Sequence, residues 1–212
     1  MTKIIFVRHG QSLANLEKRF AGHYNIDLSE LGKKQAEKTA EYIKENYKID
    51  RVYSSDLIRA YKTGKAIAEK FSLPVIVNKG MREINAGDWE GRYFDDLFQN
   101  DKNFVHWRED VGTGFCTNGE TVQELYKRTY DTVCKIAEKN DGKTIVIATH
   151  ATPIRVLELR ASGRGFEFMQ NIPWVTNASV SEFEYHNGKL LTVKISQDKH
   201  LADLVSALPA NV

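Results

Sequence analysis

Short apolar runs alternate with amphipathic stretches along most of the chain. Ile4–Val7 is continuously apolar and rich in β-branched residues, which is typical of a strand buried on both faces of a sheet. Thr144–Ala148 has a similar pattern, and the shorter runs Val52–Ser54 and Val75–Val77 also predict strands. Strands that alternate with helices are typical of an α/β fold with a mostly parallel sheet covered by helices on both faces.

Three long helices are predicted from apolar residues that recur at helical spacing. The first follows Ser29, whose hydroxyl can accept a hydrogen bond from the first helical turn. The apolar faces of the three are Ala36, Ala40, Ile43 and Tyr47; Leu57, Ala60, Ile67, Ala68 and Phe71; and Val122, Leu125, Tyr126, Thr129, Val133, Ile136 and Ala137. Pro153 suits the first turn of a fourth helix, after Thr144–Ala148.

The pattern changes in two places. Near the end, Asn187-Gly188 is a strong two-residue turn signal between two alternating runs, so an antiparallel hairpin is expected there. Residues 92–118 lack a strand pattern and hold several aromatic side chains, and we expect a helical or loop insertion over one end of the sheet. From Asp198 onward the chain is expected either to form a small helix or to fray.

Composition excludes several classes of protein. Hydrophobic residues make up 42% of the 212 and charged ones 27%, as in a soluble globular domain. The formal net charge of +2 is too small for a nucleic-acid binder, and no apolar run is long enough to span a membrane. Arg8 comes too early for a signal peptide, so a cytoplasmic location is expected. Cys116 and Cys134 form neither a metal motif nor a disulfide framework.

Residues suited to chemistry follow the predicted strands. Ligands of open α/β sheets bind outside the carboxyl ends of the strands, so these positions are expected to meet at one edge. The residues concerned are Arg8, His9, Gly10, Gln11, Ser12 and Asn15 after the first strand; Ser55, Asp56 and Arg59 after the second; Arg82 and Glu83 beyond the third; and His150 and Ala151 after the fourth. Histidines, arginines and a glutamate thus converge.

The residue types suit phosphoryl transfer. Guanidinium groups bind phosphate oxygens in a bidentate manner and stay charged, and a neutral imidazole can act as a nucleophile. A glutamate can protonate a leaving oxygen, and a second histidine can share developing charge. None of these roles requires a metal or an organic cofactor, and we expect none. His9, His150 and Glu83 would also suit a metal site, but two arginines aimed at the same place would repel a cation.

These motifs, in this order, resemble the histidine phosphatase superfamily, which includes the cofactor-dependent phosphoglycerate mutases. The resemblance extends from Ile4 to about Ile195 and predicts one phosphoglycerate mutase-like domain over residues 1–212, with 92–118 as its insertion. The segments that carry it are Arg8-His9-Gly10 with Asn15; Ser54-Ser55-Asp56-Leu57 with Arg59, Ala60 and Thr63; Arg82-Glu83-Ile84; Gly87-Asp88-Trp89-Glu90-Gly91; Gly119-Glu120-Thr121; Thr144 to His150; and Asn177-Ala178-Ser179-Val180.

The resemblance implies roles for six residues. His9 would be the phosphorylated nucleophile and Glu83 the proton donor. The phosphoryl group would be held by Arg8, Asn15, Arg59 and His150. The family usually has glycine after its second histidine, and this chain has Ala151, whose methyl group is expected either to narrow the site or to be absorbed by a small backbone shift.

Five further residues are weaker candidates for a substrate pocket. Gln11 and Ser12 lie in the loop after His9 and either contact phosphate or only form the turn. His23 and Tyr24 either face the substrate or belong to a surface loop. Trp89 either caps the pocket or packs against the edge of the sheet. As a structural alternative, Glu83 would pair with the neighbouring Arg82 rather than act on a ligand.

A phosphomonoesterase is the leading functional hypothesis, with a small phosphate monoester as its partner. The resemblance implies that mutases of the family carry a longer, more basic insertion with proline, whereas 27 residues without proline separate Gly91 from Gly119. A mutase, and an α-ribazole phosphatase among other substrate choices, remain alternatives. A protein that only binds phosphorylated ligands would have little need for both His9 and Glu83. The loop after the first strand lacks the G-x-G-x-x-G of dinucleotide-binding oxidoreductases. A dimer remains open.

Overall fold

The computed structural model describes residues 1–207, which contain a sheet of six strands. The strands are β1 (Thr2–Arg8), β2 (Arg51–Ser54), β3 (Val75–Val77), β4 (Thr144–Thr149), β5 (Val180–His186) and β6 (Lys189–Gln197). Their order across the sheet is β3-β2-β4-β1-β5-β6. The first four are parallel to one another, while β5 and β6 are antiparallel to their neighbours. The predicted α/β class and the C-terminal hairpin are confirmed.

Seven α-helices surround the sheet within the described residues. They are α1 (Leu13–Glu17), α2 (Glu30–Asn46), α3 (Ile58–Lys70), α4 (Phe94–Asn100), α5 (Lys102–Glu109), α6 (Val122–Glu138) and α7 (Ala151–Ser162). Ser29 caps α2 as predicted, its side chain accepting from the Gly32 amide. A reciprocal pair of bonds between Thr121 and Glu124 caps α6. Pro153 lies in the first turn of α7.

The alternation of side chains along β1 explains its continuous apolar sequence. Ile4 and Phe6 belong to the core under α6 and α7, together with Ile145 and Ile147 of β4. Ile5 and Val7 belong to a second core under α2 and α3, with Val146 of β4. Successive side chains of a strand point to opposite faces, and both faces are covered here, so no position tolerates a polar residue.

The insertion forms a third apolar cluster instead of an open loop. α4 and α5 pack their buried residues against α6, α7 and the loop around Phe20 and Trp89. Phe20 lies 5.4 Å from Trp89 and 6.1 Å from Trp107, ring centroid to centroid, in edge-to-face geometry. Asp101 caps α5 and also accepts a hydrogen bond from the Trp89 indole. The insertion is therefore anchored by its own aromatic core.

The hairpin and the segment after it close the fold. Asn187 and Gly188 both have positive φ, at 48° and 75°, as a type I′ turn requires. Residues 199–204 form two short 3₁₀ turns on either side of a kink at Ala202, and they pack against α2, where the His200 ring stacks on Tyr42. Of the two outcomes expected for the segment from Asp198, short helical structure is present as far as residue 204, and residues 208–212 lie outside the described part. No helix in residues 1–207 is both long and apolar enough to cross a membrane.

Trp89→Phe is expected to lower the free energy of unfolding by about 1 kcal/mol, because it removes the indole hydrogen bond to the half-buried Asp101 carboxylate. Urea denaturation monitored by circular dichroism measures this. Trp107→Phe is the matched control, since Trp107 is equally buried in the same cluster but its indole nitrogen has no hydrogen-bond partner in residues 1–207. An equal loss in the two variants would contradict the role assigned to the Trp89 hydrogen bond.

Candidate active site

The end of β1 places His9 at the sheet edge with a defined orientation. Its backbone amide donates to Thr149 O (3.0 Å), which joins the loops that follow β1 and β4. The ring atom Nδ1 lies 2.7 Å from the Gly10 carbonyl oxygen. Since a carbonyl can only accept, Nδ1 carries the proton and Nε2 keeps its lone pair. Nε2 lies 3.3 Å from Arg59 Nε and is the basic, nucleophilic atom of the ring.

Gly10 has a steric reason to follow His9. A Cβ atom at Gly10 would lie 2.3 Å from the Gly32 carbonyl oxygen in the first turn of α2. A Cβ atom at Gly32 would in turn lie 2.0 Å from the Gln11 carbonyl oxygen. Both contacts involve backbone atoms, which cannot move aside cheaply. The two glycines therefore allow the start of α2 to pack directly against the loop that carries His9.

Both histidines are held neutral by their surroundings. Burial lowers the pKa of His9 well below 6.5, and the positive charges of Arg59 and Arg8 lower it further, against a smaller opposing effect of the bond to Gly10. Burial and the charge of Arg59 likewise lower the pKa of His150. An imidazole that resists protonation keeps its lone pair available at neutral pH.

Arg8 and Arg59 bring two buried positive charges to His9 without carboxylate partners. Arg59 is fully buried, and its Nη1 and Nη2 donate to the carbonyls of Tyr24 (2.9 Å) and Gly22 (2.7 Å). Arg8 donates through Nη1 to Val175 O, and its Nε has no partner in residues 1–207. Burial lowers the pKa of each to about 10, so both remain charged at neutral pH. Neither forms an ion pair with a carboxylate of residues 1–207, although the charge of Glu83 acts on both, and the two guanidinium groups can receive an anion.

Glu83 reaches the site from the loop after β3. Its Oε1 accepts from the Ile84 amide (2.9 Å), and its Oε2 lies 3.4 Å from the Thr152 amide in the first turn of α7. The alternative pairing with Arg82 is wrong, because the Arg82 guanidinium forms a bidentate ion pair with Asp56, with Nε 2.7 Å from Oδ1. The Glu83 carboxylate is thus free to face the cavity.

His150 lies behind His9 and does not line the cavity. It follows β4 directly, and its ring centroid is 5.1 Å from that of His9. Its Nε2 lies 2.9 Å from Ser55 Oγ, while its fully buried Nδ1 has no partner in residues 1–207. The neighbouring Ala151 contributes to the cavity wall, so the methyl group that replaces the family's glycine borders the site.

These side chains surround one cleft of about 470 Å³, its open mouth included. The lining consists of Arg8, His9, Asn15, Arg19, Phe20, Ala21, Gly22, Arg59, Glu83, Phe94, Ala151, Thr152 and Trp174. Five of the six principal candidates are therefore brought together around one space. The lining combines charged, polar and aromatic side chains around a space that opens to solvent.

The five weaker candidates do not line the cleft formed by the described residues. The Gln11 side chain accepts from Ser29, and Ser12 caps α1. His23 points its ring at the Glu83 carbonyl, 2.9 Å away, and Tyr24 contributes its backbone carbonyl to Arg59. Trp89 is fully buried in the aromatic cluster of the insertion, because its indole packs against Phe20 and the residues of α5. The contacts of these side chains agree with the structural alternative given for each, namely a turn, a surface loop or packing at the edge of the sheet.

Four functional positions escape the sequence patterns. Arg19, Thr152 and Trp174 line the cleft, although each lies outside the strand ends that drew attention to the site. Arg128 of α6 fixes the loop of Glu83 from behind, donating to the carbonyls of Gly80, Arg82 and Glu83 while paired with Glu120. The one sequence signal for this support of the Glu83 loop is Glu120, which belongs to the motif Gly119-Glu120-Thr121.

The comparisons with known proteins place this site in a family. Residues 4–198 match the model of the histidine phosphatase superfamily, branch 1, and the chain belongs to that superfamily. Among curated relatives, phosphoglycerate mutase-like protein 4 of Arabidopsis thaliana is 32% identical over 95% of this chain and 87% of its own length. Phosphoserine phosphatase 1 of Hydrogenobacter thermophilus is 29% identical, with 96% of each chain covered.

Solved structures agree with the curated relatives. A mutant phosphoserine phosphatase from Entamoeba histolytica in complex with phosphoserine has a TM-score of 0.83 at 29% identity, covering 95% of this chain and 100% of its own. A mycobacterial glucosyl-3-phosphoglycerate phosphatase in complex with VO₃ has a TM-score of 0.86 at 25% identity, covering 92% and 99%. The fold and the family support a phosphoric monoester hydrolase.

The neutral histidines predict how stability depends on pH. Above pH ~6.5 neither the folded nor the unfolded chain protonates them, and no effect is expected. Below pH ~6.5, His9 and His150 bind protons in the unfolded chain but stay neutral in the folded chain. The free energy of unfolding therefore falls by up to ~1.4 kcal/mol per pH unit for each histidine. Urea unfolding between pH 7.5 and 5.5 measures the slope. His9→Gln should flatten it, and identical slopes for variant and wild type would contradict a depressed pKa at His9.

Proposed function

We propose that this chain hydrolyses small phosphate monoesters through a phosphohistidine intermediate on His9. The observation that carries the proposal is the contact of His9 Nδ1 with the Gly10 carbonyl oxygen (2.7 Å), which directs Nε2 as the unprotonated atom toward two buried arginines. A neutral nucleophile is thereby placed next to positive charge that an anionic phosphoryl group would neutralise.

In the first step, the phosphate dianion binds between Arg8 and Arg59, with the Asn15 amide as a further donor. The lone pair of His9 Nε2 attacks phosphorus, forming the N–P bond as the bond to the ester oxygen breaks. Protonated Glu83 gives its proton to that oxygen, and the alcohol leaves. The positive charge on the ring is stabilised by the Gly10 carbonyl, which accepts from Nδ1.

In the second step, a water molecule takes the place of the alcohol. Glu83, now a carboxylate, accepts a proton from the water as its oxygen attacks phosphorus. The N–P bond breaks, inorganic phosphate forms, and His9 returns to its neutral state with Glu83 protonated. His150 does not line the cleft, and with its ring centroid 5.1 Å from that of His9 it would act on the transferring group through His9 rather than by direct contact.

We further propose that the substrate carries a carboxylate. Phosphoserine, 3-phosphoglyceric acid and glucosyl-3-phosphoglycerate, which appear in the names of three related structures, each have one, whereas the α-ribazole phosphate of two others does not. In this chain Arg19 lines the cleft, and its guanidinium contacts the Gly91 carbonyl (3.1 Å), the Tyr93 hydroxyl (2.7 Å) and, in a partly exposed ion pair, the Glu17 carboxylate (2.8 Å). A substrate carboxylate would compete with Glu17 for this guanidinium. A guanidinium placed beyond the phosphate pocket can read a second anionic group.

His9→Ala is expected to abolish release of phosphate from p-nitrophenyl phosphate, phosphoserine and 3-phosphoglycerate in the presence of a chelator, because no other group supplies the nucleophile. Glu83→Gln should retain binding but lower kcat by about 10²–10⁴-fold, the usual contribution of general acid–base catalysis. Rapid quench of wild type with detergent at alkaline pH, after mixing with ³²P-labelled substrate, should trap a phosphoprotein that survives alkali and loses its label in acid. Turnover that persists in His9→Ala would refute the mechanism.

Arg19→Ala is expected to discriminate between substrates. Loss of one charge-assisted contact should lower kcat/KM for phosphoserine by about 10- to 100-fold, and that for p-nitrophenyl phosphate, which has no carboxylate, by much less. Steady-state kinetics on both substrates provide the ratio. Arg51→Ala is the control, because Arg51 is exposed at the opposite end of β2. Equal losses on both substrates would show that Arg19 does not read the carboxylate.

A further inference from the structure

Asn177 is a buried amide that connects three distant parts of the chain. It lies in the loop before β5, and its side chain is almost fully enclosed. Its Nδ2 donates to the carbonyl oxygen of His9 (3.1 Å) and to Oδ1 of Asn15 (3.1 Å). Its Oδ1 accepts from the hydroxyl of Ser206 (3.1 Å). Every polar atom of this side chain is therefore used.

The orientation of both amides follows from groups that can play only one role. The Ser12 backbone N–H can only donate, so the Asn15 atom 3.1 Å from it must be the oxygen. The His9 carbonyl can only accept, so the Asn177 atom facing it must be the nitrogen. Asn15 then has its oxygen engaged on the protein side by Ser12 and Asn177. Its NH₂ group is left for the cleft, which Asn15 lines.

The C-terminal segment holds the same loop at a second point. Gln35 of α2 accepts from the Gln11 amide through Oε1 (2.7 Å). Its Nε2 donates to the Leu204 carbonyl (2.8 Å) and approaches the Ser206 hydroxyl (3.3 Å). Ser206 is thus hydrogen-bonded to both amides that support the loop after β1. The segment at 204–206 is part of the support of the site rather than an unattached end.

We infer that Asn177 is a positioning residue that fixes the Asn15 amide with its NH₂ toward the bound phosphate, with Ser206 holding Asn177 in that orientation. The inference rests on the proposed function in that the cleft takes a phosphoryl group. Asn177 itself does not line the cleft, and it acts on the ligand through Asn15. The role of the Asn177–Asn15 hydrogen bond can be tested by phosphate binding alone, without turnover of a substrate.

The test is a double-mutant cycle on the binding of inorganic phosphate, measured by calorimetry. Its members are wild type, Asn15→Ala, Asn177→Asp and the double variant. A carboxylate at 177 has the shape of the amide but cannot donate to Asn15 Oδ1, and it favours an Asn15 flipped with its oxygen toward the phosphate. Asn177→Asp should therefore weaken binding at least about tenfold more in wild type than in the Asn15→Ala background. Repulsion by the new charge acts in both backgrounds and cancels in this comparison.

Equal losses in the two backgrounds would overturn the inference, because Asn177 would then act through the fold alone. Asn187→Asp, the same change at the exposed hairpin turn, should leave binding unchanged. If Asn177→Asp does not fold, Ser206→Ala takes its place in the cycle, and a weakening that disappears in Asn15→Ala supports the inference while none, or one that survives, overturns it. Phosphate binding by wild type without hydrolysis of any monoester would refute the proposed function and leave this test intact.

Discussion

The burial of two guanidinium groups beside a neutral imidazole is the constraint on which the rest of the structure depends. Arg8 and Arg59 are desolvated with no carboxylate of residues 1–207 in ion-pair contact, although the charge of Glu83 acts on both, and an anionic ligand would recover part of the free energy that this costs. Burial, and after it the positive charges of the two arginines, lower the pKa of His9 and keep its ring neutral. Under the proposed function, one arrangement would supply both the affinity for phosphate and the reactivity toward it.

The scaffold holds these charges with backbone carbonyls, which are neutral and directional. Arg59 depends on the loop at 22–24, Arg8 on the loop at 175, and Glu83 on a loop held by Arg128. The positions of these side chains depend on the positions of the loops that hold them. Hydrogen bonds between loops therefore help to fix the geometry of the site. His23, whose ring meets the Glu83 carbonyl, and Asn177, which meets the His9 carbonyl, serve this purpose.

The insertion contributes Phe94 to the wall of the cleft. Its two helices bury Phe94, Leu97, Phe104 and Trp107 in a cluster with α6 and α7, so residues that border the cleft stand on a packed base. Relatives with different substrates in their names share this fold at TM-scores of 0.83 to 0.86. Arg19 and Trp174 line the cleft outside the strand ends, and under the proposed function such loop side chains would select the substrate.

The sequence by itself determined the elements whose signals are local. The apolar run of β1, the Ser29 cap, the Asn187-Gly188 turn and the histidines at the ends of β1 and β4 each follow from a short pattern with one physical cause. Strand ends that share a parallel sheet must meet at one edge, so His9, Arg59, Glu83 and His150 could be grouped in advance. Tertiary structure alone decided which side chains face the ligand. Trp89 is of a residue type common in ligand pockets, but its side chain is fully buried by packing. Asn177 forms a hydrogen bond with Asn15, which lies 162 positions earlier in the chain. Whether a loop side chain points into a cleft or away from it depends on contacts between distant segments, and such contacts leave no periodic trace in the chain.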